Sequence, residues 1–183
     1  MQYGICPLSI VPIRTLPDDC SEMSSQLLYG EHFKILEQRK KWSKIRTAYD
    51  GFEGWVANNQ IVVLLEEDFQ GLCDVEALDL SSDIISHICT SEGLLMPILL
   101  GSSINGSSLL KHSFEGLCTN HKMEREGLVD IAFLYVKSPY LNGGRTPFGI
   151  DAAGFAQMVY KIGGYALKRT AEEQSKQGEP LSF

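Results

Sequence analysis

The stretch Tyr140-Leu-Asn-Gly-Gly-Arg-Thr-Pro-Phe-Gly-Ile-Asp-Ala-Ala-Gly-Phe155 constrains this chain more than any other. Gly143, Gly144 and Gly149 permit backbone angles that side chains forbid, and Pro147 fixes a turn. Asp151 is placed as the N-cap of a helix running from Ala152 to about Ile162. A helix start presents unpaired N–H groups and a partial positive charge, which stabilise a thiolate or hold an anion. Ala152, Phe155, Ala156, Val159 and Ile162 fall on overlapping helical spacings and form an apolar face that needs a partner. Gly163-Gly164 ends this helix. Leu167–Gln177 reads as a second helix, broken by Gly178-Glu-Pro180.

These residues resemble the nucleophile loop of the NlpC-type cell-wall peptidases, which are papain-like cysteine peptidases. The family pattern is Tyr-Leu-Trp-Gly-Gly, then Pro-Phe-Gly, then Asp-Cys-Ser-Gly-Phe. The chain has Tyr140-Leu141-Asn142-Gly143-Gly144, then Pro147-Phe148-Gly149, then Asp151-Ala152-Ala153-Gly154-Phe155. It resembles in particular the cytoplasmic-type γ-D-glutamyl-L-diamino acid endopeptidases, in which SH3-like modules precede the peptidase domain. The resemblance implies an α+β fold, with SH3-like β barrels followed by the helical first part of a papain-like domain.

The departures are chemical. The family's nucleophilic Cys falls at Ala152, and alanine cannot attack a carbonyl. Ala153 replaces a Ser, and Asn142 stands where the family has Trp. The Arg-Asp-Ala run, whose Asp resembles a ligand for the substrate's free amine, reads Arg169-Thr170-Ala171. In relatives the catalytic His lies on strands beyond the matched part, so the resemblance implies a truncated peptidase segment over 129–183. It also implies substrate-binding roles for Tyr140 and Asp151. The residues alone leave plainer roles open: Tyr140 packing on the loop glycines, and Asp151 serving only as a cap.

The N-terminal part reads as short strands at Leu8–Ile13, Gln26–Tyr29, His32–Gln38, Trp42–Ala48 and Gly54–Val56. Turns at Pro17-Asp-Asp, Tyr29-Gly-Glu and Tyr49-Asp-Gly-Phe52 separate them, which suggests a small curved barrel. Its Val-Pro-Ile-Arg start, its Trp42-Ser-Lys-Ile-Arg strand and its closing Gly54-Trp55-Val56 resemble a bacterial SH3-like module. Trp55 is either a core or rim aromatic or part of a peptide-facing wall. Arg39-Lys-Lys41 reads as a solvated hairpin tip. The expected organisation is a barrel over 1–66, a connector over 67–90, a second SH3-like module over 91–128 and the peptidase segment after it. Within the connector, His87 sits in an apolar run and is expected to be buried. The run Val129–Val136 has helical spacing and stops before Ser138-Pro139.

The net charge of −7 argues against nucleic acid and against anionic membranes as partners. No apolar run is long enough to span a membrane. Met1-Gln-Tyr-Gly-Ile-Cys-Pro does not read as a signal peptide, which points to a cytoplasmic protein. Five irregularly spaced cysteines fit free thiols, and their spacing suggests no metal or other cofactor. Cys118, beside Asn120 and His121, is the one alternative nucleophile worth testing.

The functional expectation is a murein-peptide endopeptidase relative that is inactive as written. The alternative is a module that binds a muropeptide or a protein. The helix over 152–162 predicts either a homo-oligomer through an exposed face or a fold-back onto the β modules.

Overall fold

The computed structural model describes residues 1–179, so Pro180 of the expected helix breaker lies outside the described residues. Seven strands come first: β1 Gln2–Ile5, β2 Ile10–Arg14, β3 Met23–Leu28, β4 His32–Gln38, β5 Trp42–Thr47, β6 Glu53–Ala57 and β7 Val62–Leu64. They form one antiparallel sheet in the order β3-β2-β6-β5-β4-β1-β7. Alternation drives the packing. Val11, Ile13, Leu27, Phe33, Ile35, Ile45 and Val56 point inward and form one buried core with Cys6. Trp55 is buried, and the Arg39 guanidinium lies 4.5 Å from its ring centroid. Gln2–Ile5 and Val62–Leu64 add two strands to the five that turn signals mark.

Helix α1, Glu66–Cys73, carries Glu66, Glu67 and Asp68 in its first turn, where the dipole favours them. Its Phe69 and Leu72 pack on Tyr3, Ile5 and Leu64, and the Tyr3 and Phe69 rings stack at 4.3 Å. This helix closes one end of the sheet.

The next strands are β8 Leu80–Ser81, β9 Ile85–Cys89, β10 Leu95–Leu99, β11 Ser113–Phe114 and β12 Cys118–Thr119. β9 lies between β10 and β11, and β8 pairs with β12. This pairing crosses residue 91, because β9 supplies the central strand. Ile88 and Ile98 bury against Tyr29, in the turn after β3. His87 is a correction: it is exposed, because strand alternation turns Ser86 and Ile88 inward and His87 outward. Leu94 and Leu95 are also exposed.

Helix α2 spans Arg125–Phe133, starting earlier than its apolar spacing suggests. Lys137 adopts φ 65°, a left-handed angle that ends the helical turn ahead of Pro139. The short strands β13 Arg145–Thr146 and β14 Gly149–Ile150 form a hairpin within the glycine-rich loop. Helix α3 runs Ala152–Ile162, as its cap and apolar spacing predict. Helix α4 covers only Ala171–Ser175 of the expected 167–177.

The apolar face of α3 is buried over its C-terminal half and exposed at Ala152 and Phe155. Met158, Val159 and Ile162 bury against Leu28 of β3, Leu100, and Ile131 and Tyr135 from α2 and the turn after it. This part of the helix folds back onto the β modules, as one of the two alternatives expects, while Ala152 and Phe155 stay exposed. Burying side chains of this size is worth about 1.5–3 kcal/mol each.

Candidate functional site

The site grows from Asp151. Its Oδ1 accepts the Gly154 N–H at 2.6 Å, which caps α3. Its Oδ2 accepts the Gly143 N–H at 2.9 Å, which ties the glycine loop to the helix start. Arg169 then grips the same carboxylate, Nη1 to Oδ1 at 3.1 Å and Nη2 to Oδ2 at 2.7 Å. Burial raises the Asp151 carboxyl, but Arg169 and the two backbone N–H groups outweigh it and hold the group below its ordinary range.

Close backbone packing fixes the loop's path. Gly143 has φ +76°, and a Cβ there would meet the Met23 carbonyl of β3 at 2.5 Å. The Ile150 N–H donates to Pro139 O at 3.0 Å, and the Leu141 N–H donates to Ile150 O at 3.1 Å. Asn142, at the family's Trp position, donates Nδ2 to Glu22 Oε1 at 2.6 Å.

Ala152 lies at the first turn of α3 and is exposed. The surrounding surface is apolar and aromatic. Tyr140 is 77% exposed, and Leu141, Phe148 and Phe155 are also open to solvent. Tyr135 lies beneath, edge-on to Phe155 at 5.9 Å. Of the two expected ligand contacts, Tyr140 faces outward, whereas Asp151 spends its oxygens on internal donors. Thr170, where the family carries its amine-binding Asp, caps α4 by accepting the Glu173 N–H at 3.2 Å. Asn120 donates to Asp79 Oδ1 at 2.9 Å, so its amide serves the β8 region rather than a Cys118 centre.

A second polar cluster joins the loop and α3 to the N-terminal sheet. Glu31 receives Arg145 Nη1 at 2.8 Å and Nη2 at 2.9 Å, and Lys161 Nζ at 2.6 Å. All three residues are buried. Burial alone would raise the Glu31 carboxyl, but the two cations pull it down to about 2. Arg145 also bonds Gln26, its N–H to Oε1 at 2.7 Å and Nη1 to the main-chain O at 2.6 Å. One turn before Lys161, Gln157 donates to Asp50 Oδ2 at 2.6 Å and to Leu167 O at 3.1 Å.

Sequence reading did not identify this cluster, because its members lie more than 100 positions apart. One signal was present. Gln157 and Lys161 stand at i, i+4 on a helix otherwise dense in apolar residues. Buried polar groups need partners, so that pair implied a polar counterpart elsewhere in the chain.

Residues 13–61 match the model of the bacterial dipeptidyl-peptidase Sh3 domain, which falls within the seven-stranded sheet. Among curated proteins, the chain is 26% identical over 193 residues to dipeptidyl-peptidase 6 of Lysinibacillus sphaericus, covering 85% of this chain and 67% of that protein. It is 22% identical to the γ-D-glutamyl-L-lysine dipeptidyl-peptidase of Bacillus subtilis (strain 168), covering 86% of this chain and 59% of that protein. Among solved structures, an NlpC/P60 family protein from Bacillus cereus ATCC 10987 superposes with a TM-score of 0.81 at 14% identity, over 98% of this chain and 78% of the other. An NlpC/P60 endopeptidase from Photobacterium damselae subsp. piscicida gives 0.57 at 17% identity, over 94% and 45%. The chain thus spans about two thirds of the first curated relative and less of the second.

Proposed function

We propose that this chain, which resembles the SH3-containing NlpC-type peptidases, binds murein peptide without cutting it. The observation that carries this reading is Ala152. The position is exposed at the start of α3, where a thiol would meet the helix dipole, and its side chain is a methyl group. Covalent acyl transfer needs a nucleophile there, and a methyl group offers none.

The relatives' names support the ligand class, since one is a γ-D-glutamyl-L-lysine dipeptidyl-peptidase. The exposed Tyr140 ring offers a stacking surface, and its backbone pairs with Ile150, two positions before Ala152. Asp151 contributes by holding the loop. Thr170 offers no carboxylate to a free amine, so the affinity expected is weak.

A second reading, a protein-docking module, rests on the exposed Phe133, Val136, Tyr140 and Phe148. Isothermal titration with L-Ala-γ-D-Glu-L-diaminopimelate separates the two. Saturable binding that Tyr140→Ala weakens about fivefold, the scale of one aromatic contact, is the expected result. Absence of binding would overturn the murein-peptide reading.

A further inference from the structure

We propose that the tip of the β4–β5 hairpin holds an acidic polysaccharide, with Lys40 and Lys41 taking its carboxylates and Trp42 taking the face of a sugar ring. Residues 32–47 carry six of the sixteen Lys and Arg side chains of the protein and one of its twenty-three Asp and Glu. A local excess of five positive charges thus stands on a chain of net charge −7. The fold does not call for this charge. Strands β4 and β5 are interior in the seven-stranded sheet, so the lysines do not guard an open edge. Lys34 stands directly across from Arg46, and like charges in register weaken a sheet.

Part of the excess is neutralised within the hairpin and its neighbour. Glu53 lies 3.0 Å from Lys44 and 2.6 Å from Arg46, and Glu37 lies 2.7 Å from Arg39. Lys40 and Lys41 are exposed and have no carboxylate within 4.0 Å among the described residues. The backbone beneath them is held. The Arg39 N–H donates to Trp42 O at 2.8 Å and closes the turn. Asn58 Nδ2 donates to Arg39 O at 2.8 Å, its Oδ1 accepts the Ser43 hydroxyl at 2.7 Å, and its N–H donates to Lys41 O at 2.9 Å. The Arg39 guanidinium also covers the Trp55 ring.

A groove of about 420 Å³ runs between this tip and the turn after β6, lined by Lys40, Lys41, Trp42, Asn58 and Asn59. The lysines call for an anion. Trp42 is half-buried, so its ring is fixed and offers a flat apolar face of the size of a sugar ring. Asn59 is exposed, and its amide carries two donors and an acceptor suited to hydroxyl groups. Asp19 lines the same groove and sets the spacing. A chain with an anion on every unit, such as a nucleic acid, meets this carboxylate. A chain that alternates acidic and neutral sugars can place a neutral unit beside it. Ala152 does not line the groove, so the site is separate from the glycine-rich loop.

The test titrates the full chain by calorimetry with a hyaluronate octasaccharide, which alternates acidic and neutral sugars. Chitohexaose supplies sugars without charge, and inorganic polyphosphate supplies charge without sugars. Saturable binding of hyaluronate and none of chitohexaose is the expected result. Replacing both lysines, Lys40→Ala with Lys41→Ala, should weaken hyaluronate about tenfold, the scale of two exposed charge contacts. Both side chains are exposed, and circular dichroism checks that the double variant keeps the fold. Trp42→Ala should weaken hyaluronate about fivefold and leave polyphosphate unchanged. Failure of the unaltered chain to bind hyaluronate, or an affinity that survives loss of both lysines, would overturn the site. Polyphosphate or single-stranded DNA binding more tightly than hyaluronate would overturn the polysaccharide as its ligand.

Discussion

Arg169 holds Asp151 by both carboxylate oxygens, at 3.1 and 2.7 Å, and the same carboxylate receives the N–H groups of Gly143 and Gly154. One side chain therefore joins the glycine loop, the start of α3 and the segment leading into α4. This junction fixes the shape of the loop that leads to Ala152.

Removing Arg169 tests that statement. Arg169→Leu leaves a largely buried carboxylate without its cation, and it should cost about 3 kcal/mol, as loss of one partner of a buried pair does. Glu31→Gln should cost at least as much, because both Arg145 and Lys161 lose their counter-charge. Urea unfolding of each variant against the unaltered chain gives the two values.

Acid should destabilise the fold in a defined window. Glu31 moves from an ordinary 4.5 to about 2 on folding, and Asp151 also moves down. The unfolded chain therefore takes up protons first as the pH falls. The stability these carboxylates supply is complete above the unfolded value and is lost as the pH drops through the folded one. Thermal unfolding should decline modestly below about pH 6.5, because burial holds the His32 and His112 imidazoles below their ordinary range, and fall steeply from about pH 4.5 toward pH 2. In Glu31→Gln the fall should be shallower.

Two glycine substitutions should act in opposite directions. At Gly143, φ +76° and the Met23 carbonyl both oppose a side chain, so Gly143→Ala should destabilise by about 1–3 kcal/mol. Gly71 lies inside α1 with open space around it, so Gly71→Ala should stabilise by about 0.5–1 kcal/mol. Calorimetric melting of both variants reads the sign directly.

A thiol restored at the loop should be reactive. Ala152→Cys places sulfur at the first turn of α3, where the helix dipole favours the thiolate. It should be alkylated by iodoacetamide faster than Cys118, whose thiol is pushed up by burial and by Asp79. A rate equal to that of Cys118 would show that the helix start does not activate the position.

The local half of this structure was legible in the sequence. The Asp151 cap and the apolar spacing defined α3 at both ends, because capping and periodicity act within a few residues. The strands from Ile10 to Ala57 followed from alternation and turn residues. What the sequence concealed was non-local. Glu31 looks like a turn residue until Arg145 and Lys161 arrive from over 100 positions away. His87 sits in an apolar run, and only the pairing of β9 between β10 and β11 decides which face it takes. Thr170 stands where the resemblance implies a ligand, and its hydroxyl serves locally as the cap of α4.

Ala152 is proposed to make this chain a binder of murein peptide and not a cutter of it. This is tested most directly by incubating the unaltered chain with L-Ala-γ-D-Glu-L-diaminopimelate and following the products by mass spectrometry. Intact tripeptide is expected at every time point, at a level equal to a protein-free control. Time-dependent release of L-Ala-γ-D-Glu and free diaminopimelate would contradict it and would place a working nucleophile elsewhere in the chain.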